Sequence, residues 1–171
     1  MPPRARPASP KSPARADVAP PIESFAPLLR FRAIFASKEP LYHRVNPRAG
    51  ELCDPYSYAP KLEEFLRALY ETEFVVKGFD WSTWASGAGA RHLRKAGALD
   101  RVGLLTLRRI ATAHVRQERF CGGHLAGVVG RGDFARLLDR LAVLMGRGSE
   151  PARPRRTSRT LPAPTKRASR R

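Results

Sequence analysis

LLTLRRIATAHVRQERFCGGHLAGVVGRGDFARLLDRLAVLM, residues 104 to 145, is the stretch whose reading decides the fold. Leu104, Leu107, Ile110, Ala111, His114 and Val115 recur at steps of three and four, the spacing that gathers side chains on one face of an α-helix. Arg109, Thr112, Arg116 and Arg119 follow the helical step on another face, so the pattern predicts an amphipathic helix with a cationic outer rail. Such a rail is commonly just a solvated face, its arginine stems covering apolar surface while the heads stay in water. Its sharper use is on phosphates, because planar guanidinium forks match phosphate oxygens. After Phe120, glycines stand at 122, 123, 127, 130 and 132. They predict a short helix from Gly123 to Val129, a turn over 130–132, and a last helix from an Asp133 N-cap through Phe134, Leu137, Leu138, Leu141 and Met145.

Upstream, Phe25, Leu28, Leu29, Arg32 and Phe35 give a helical spacing over 22–35. Residues 36–56 carry three prolines and the Asn46-Pro47 turn signal, which fits a long loop or a short irregular hairpin. Ser57 to Pro60 supplies a helix start, and Leu62, Phe65, Leu66, Leu69 and Tyr70 continue it on one face. Asp80 reads as the N-cap of a helix whose Trp81, Trp84, Ala85 and Ala88 share a core-facing side, and Gly87 and Gly89 cut that helix short or kink it. Arg91, Arg94 and Lys95 form a small basic cluster; Gly97 to Asp100 reads as a turn, with Asp100 capping the arginine-rich helix. The expected fold is mostly α: a single compact helical domain of about five helices over residues 22–146.

Charge is the unusual feature of the composition. Lys and Arg number 32 against 15 Asp and Glu, a formal net charge of +17. A protein that basic attracts polyanions, nucleic acid first among them. The surplus is concentrated at the ends, because residues 1–21 hold four basic and one acidic side chain and residues 147–171 hold nine and one. Both ends are rich in Pro, Ala and Arg with no apolar period, so they are expected to be disordered basic tails. A GC-rich genome produces the same Arg, Ala and Pro flavour, which makes the tails weaker pointers than their charge. No run reaches the roughly 18 consecutive apolar residues of a membrane span, and Pro at 2, 3, 7, 10 and 13 would break a targeting helix. Two cysteines, Cys53 and Cys121, are too few for a disulfide scaffold, so a cytoplasmic location is expected.

PYSY at 55–58, LEEFLRALYE at 62–71, FDWSTW at 79–84, LLT at 104–106 and HVRQERFCGGHL at 114–125 together resemble an uncharacterised prokaryotic family known only as a domain of unknown function. The likeness covers roughly residues 25–145 and leaves out both ends. It implies a small helical domain and carries no activity or site residue with it. The chain departs from the family pattern at Gly122 and Gly130, where the family tends to be acidic. If those carboxylates served chemistry elsewhere, this chain lacks them.

Three chemistries compete for the remaining residues. His114, Cys121 and His124, with Cys53 from a distant loop, could make up a tetrahedral zinc set, but their spacing matches no paired clip, so no metal or other cofactor is expected. Cys121 beside a histidine and Arg119 could be an activated thiol, but the spacing supplies no orienting partner. A helix-turn-helix over 122–140 puts Arg131, Arg136 and Asp139 where apolar residues are required, so its register fails. The reading that remains is a non-enzymatic accessory factor. It would bind nucleic acid through its tails and through Arg109, Arg116, Arg119, Arg91, Arg94 and Lys95, without strong sequence preference. Its rival is a protein interaction module that presents Trp81, Trp84 and the glycine-rich segment to an unidentified protein partner.

Overall fold

The computed structural model describes residues 20–45, 56–95 and 97–148. Its elements in chain order are a 3-10 helix Ile22–Phe31 continuing into α1 (Arg32–Ala36), β1 (Tyr42–Arg44), β2 (Tyr56–Tyr58), α2 (Pro60–Glu71), α3 (Trp81–Ser86), α4 (Ala90–Arg94), α5 (Leu104–Glu118), α6 (His124–Gly130) and α7 (Asp133–Gly148). The mostly helical reading holds. The tails expected over 1–21 and 147–171 lie almost entirely outside the described residues.

The helix count differs from the expected five for two local reasons. Over 22–36 the buried side chains are Phe25, Leu28 and Phe31. A strict step of three is the period of a 3-10 helix, whose side chains eclipse every third residue, so the segment winds tighter than the α-helix expected and leaves Arg32 exposed. At 87–89 the two glycines end α3, and α4 starts afresh at Ala90. Gly89 allows this by close approach: a Cβ there would stand 2.4 Å from the Trp84 indole. The expected loop or hairpin at 36–56 contributes β1, and β1 pairs antiparallel with β2, Tyr42 opposite Tyr58. Tyr56–Tyr58 is therefore a strand, and α2 begins after it with Pro60 at the first helical position, where its missing N–H costs nothing.

Aromatic side chains tie the outer helices together. Phe65 of α2 meets Phe31 at 5.4 Å, Phe35 at 5.1 Å and Phe134 of α7 at 5.1 Å between ring centroids. Fully buried Leu28, Leu62, Leu69, Leu137, Leu138 and Leu141 fill the space around them. Burying each such side chain contributes roughly 1.5–3 kcal/mol, so this layer dominates the stability.

Helix α5 is the central element. Leu107, Arg108, Ile110, Ala111, Thr112, Ala113, His114 and Val115 are all buried, which covers more than one face. Neighbours pack on it from several sides, α3, α6 and α7 among them. Its N-cap is Gly103, with no side-chain cap, so Asp100 does not fill the expected capping role. Asp80 does cap α3, accepting from the Thr83 amide at 3.2 Å.

A buried arginine is costly unless its donors are satisfied. Arg108, 6 % exposed, donates from Nη2 to the Glu73 carbonyl at 2.8 Å and from Nε to the Phe74 carbonyl at 3.2 Å. Arg116 donates to the carbonyls of Phe79 at 2.8 Å and Val76 at 2.9 Å. Thr112 lies between them on the helix and accepts from the Val76 amide at 2.9 Å. Helix α5 thus clamps the non-helical segment 73–79 by its backbone. Arg140 of α7 does the same for the entry to α5, donating to the Val102 carbonyl at 2.8 Å. Replacing Arg108 by Leu takes this partner from the buried Phe74 carbonyl and from the part-buried Glu73 carbonyl. Urea denaturation should show a loss of about 3 kcal/mol; a loss below about 1 kcal/mol would mean that the clamp contributes little.

Candidate functional site: a cationic ridge and its two cavities

The expected rail on α5 does not form a solvent-facing stripe. Arg116 is committed to the carbonyls of segment 73–79. Arg109 is half-buried, with its guanidinium 5.2 Å over the Phe79 ring. Arg119, at the C-cap, is exposed. The helical period placed the three correctly along α5, but it could not show that segment 73–79 covers that face.

Several surface charges elsewhere are paired, while the exposed Lys38, Arg44, Arg67 and Arg119 have no carboxylate within ion-pair distance among the described residues. Arg30 meets Glu64 at 2.8 Å, Arg32 meets Asp139 at 2.5 Å, Lys61 meets Glu39 at 2.6 Å and Lys77 meets Glu73 at 2.7 Å. Asp133 takes both Arg131 and Arg136. Exposed pairs of this kind contribute at most about 1 kcal/mol each, so their main consequence is to neutralise charge. Arg91, Arg94, Lys95 and Arg101 have no carboxylate within ion-pair distance among the described residues. All four are exposed on α4 and the turn that follows it. The basic cluster read from the sequence is therefore present, and Arg101 extends it.

This ridge borders two cavities. The first, of about 430 Å³, is lined by Arg91, His92, Lys95 and Arg101 together with Gly103 and Thr106 at the start of α5. The first turn of α5 holds no acidic residue, so the positive end of the helix dipole adds to the three cations. Arg91 Nε donates to His92 Nε2 at 3.3 Å, and His92 lies parallel to the Trp84 indole at 6.4 Å, which fixes this wall. Arg101 and this cavity were not legible in the sequence, because the turn at 97–100 had been read as a cap.

The second cavity, of about 360 Å³, is lined by Trp81, Ser82, Leu93, Arg94, Gln117, His114, His124 and Arg131 among others. At its floor His114 Nδ1 and His124 Nε2 share a hydrogen bond at 3.0 Å. Burial, with neighbouring His124 adding to it, pushes His114 down to about 4. Burial also lowers His124, against the opposing pull of Glu118. Both imidazoles are therefore neutral at pH 7.

Glu118 holds this corner together. Its Oε1 accepts from the Tyr58 hydroxyl at 2.5 Å and the Gly123 amide at 2.9 Å, and its Oε2 accepts from the Leu125 amide at 2.7 Å. The two amide bonds satisfy donors at the start of α6, so Glu118 fixes where His124 begins that helix. Gly123 sits at φ +87°, and a Cβ there would stand 2.4 Å from the Tyr56 ring, so both the turn and the strand contact require glycine. Glu118's role was not legible in the sequence, since nothing in its spacing distinguishes a distant capping carboxylate from a surface one.

Among the described residues no three metal-ligating side chains cluster. Cys121 is a free, exposed thiol and Cys53 lies outside the described residues. Trp81 is not core: it is half-buried and stacks on Phe120, which is 76 % exposed, at 5.9 Å between centroids. No helix among the described residues is long and apolar enough to cross a membrane.

Fold and site together define a small helical domain with a cationic ridge between two cavities. The model of a family of unknown function, DUF6508, matches residues 22–147, and the chain belongs to that family. No curated protein and no solved structure matches it. The stretches FDWSTW and HVRQERFCGGHL, on which the family resemblance rests, meet at the second cavity through Trp81, Ser82, His114, Gln117 and His124.

A histidine held neutral by burial makes stability depend on pH. The unfolded chain takes up a proton near pH 6.5 and folded His114 only near 4, so stability is complete above 6.5 and is lost as pH falls towards 4. A depression of that size corresponds to about 3 kcal/mol. Denaturation between pH 7 and 5 should show this decline in the wild type and a flatter profile in His114→Phe; equal slopes would contradict it.

Proposed function

We propose that this protein is a non-enzymatic nucleic-acid-binding factor that engages the phosphate backbone through the ridge Arg91, Arg94, Lys95 and Arg101. The observation that carries the reading is the distribution of carboxylates. They pair with Arg30, Arg32, Lys61, Lys77, Arg131 and Arg136, whereas the four cations of this ridge have no such partner among the described residues and stand together along α4 and its turn beside the dipole end of α5; Lys38, Arg44, Arg67 and Arg119 are also without one but are scattered in the chain. Guanidinium and ammonium groups lining an open cavity suit phosphate oxygens, and such contacts carry no sequence preference of their own. The thirteen Lys and Arg residues within 1–21 and 147–171 add attraction for the same polyanion. Arg119, exposed at the far end of α5, offers a further phosphate contact.

The test uses the full chain with Arg91, Lys95 and Arg101 all changed to Ala. Each removed phosphate contact lowers the salt slope of single-strand binding by about 0.7, so the slope should fall by about 2 and affinity at moderate salt by at least about tenfold. Unchanged affinity and slope would leave the ridge without a role. Absence of nucleic-acid binding in the wild type would favour a protein interaction module instead.

A further inference from the structure

We infer that the second cavity and the Trp81–Phe120 pair hold a nucleobase, so that the nucleic acid bound is single-stranded. This rests on the backbone-binding reading above and adds what lies beyond the phosphates.

The cavity's chemistry suits a flat heteroaromatic ring attached to a phosphate. One wall is the Trp81 indole, and beside it Phe120 exposes three quarters of its surface while stacked on Trp81. An aromatic ring left that exposed costs solvation, and stacking of bases is the use such platforms serve in single-strand binding. The polar groups at its floor are uncharged. His114 and His124 are neutral at pH 7, and the Gln117 carboxamide brings two donors and an acceptor. Neutral donors and acceptors match the edge of a base and would bind a bare phosphate or metal ion poorly. Two cations line it: Arg131, paired with Asp133 at 2.9 Å, and Arg94, exposed and without a carboxylate partner among the described residues, placed to meet the phosphate of the nucleotide whose base is inside. A volume of about 360 Å³ lies at the lower end of small-molecule pockets, enough for one base and its sugar rather than a large cofactor.

The two cavities are also aligned. Thr106 lines the first and Gln117 the second. Eleven helical residues make three turns and return to nearly the same face, so the cavities lie over one side of α5, about 16 Å apart along its axis. A strand running along α5 would place phosphates at Arg91, Lys95 and Arg101 and a base at Trp81. A duplex keeps its bases stacked inward and cannot do this without unpairing.

The experiment measures binding of the full chain to a labelled single-stranded oligonucleotide, to an abasic strand of the same length, and to the corresponding duplex. The base-bearing strand should bind at least about fivefold tighter than the abasic strand, the span expected for one stacked base. Phe120→Ala, a change at an exposed position, should erase that difference and leave abasic affinity unchanged. Trp81→Leu should do the same, with circular dichroism showing the helices intact. Equal affinity for base-bearing and abasic strands, or a preference for duplex, would overturn the base pocket while the ridge reading stands. Failure of the wild type to bind any of the three would remove both.

Discussion

The donation of arginine N–H groups from α5 to backbone carbonyls of segment 73–79 is the constraint on which the rest of the structure depends. A segment of seven residues without regular structure would leave its carbonyls unpaired against the core. Arg108 and Arg116 satisfy four of them, and Thr112 accepts the Val76 amide. Segment 73–79 leads directly into α3, so the same clamp sets where Trp81 and the Asp80 cap lie. Two consequences follow. Helix α5 becomes an interior element, and its arginines become structural side chains rather than a free rail.

Once α5 is committed in this way, the net charge of the domain must be displayed elsewhere. The ion pairs at Glu39, Glu64, Glu73, Asp133 and Asp139 cancel much of it. Of what remains, Arg91, Arg94, Lys95 and Arg101 stand together on α4 and its turn, three of them around the cavity at the start of α5. The cavities on either side have different chemistries, three cations and a helix dipole in one, neutral imidazoles and an indole with Arg94 and Arg131 in the other. The ligand proposed for both combines repeated anions with a flat neutral ring. Single-stranded nucleic acid has that composition.

Much of the fold was legible in the sequence because apolar period and caps act locally. The period over 62–70 gave α2, Asp80 gave the start of α3, and the glycines at 122–132 gave the α6–α7 turn. The departures came where tertiary packing overrode local pattern. Phe25, Leu28 and Phe31 sit at a step of three, which the eye reads as one side of an α-helix until the backbone shows the tighter winding. The rail on α5 has the right period for a solvated face, and only the covering loop reveals which way it points. At the candidate site, the cluster Arg91, Arg94 and Lys95 could be read directly, whereas Arg101, Gln117 and Glu118 could not, because their roles come from neighbours remote in sequence. The histidines were visible as a pair of candidates, but their direct hydrogen bond depends on Glu118 fixing the start of α6.

The central claim is that polyanion is received by the folded ridge and not merely by the charged ends. The most direct measurement is an amide NMR titration of the full chain with a short single-stranded oligonucleotide. Saturable shifts are expected at residues 91–106 and at Trp81, Gln117 and Phe120, on one binding curve. Shifts confined to residues 1–21 and 147–171, with the ridge unmoved at saturation, would contradict it.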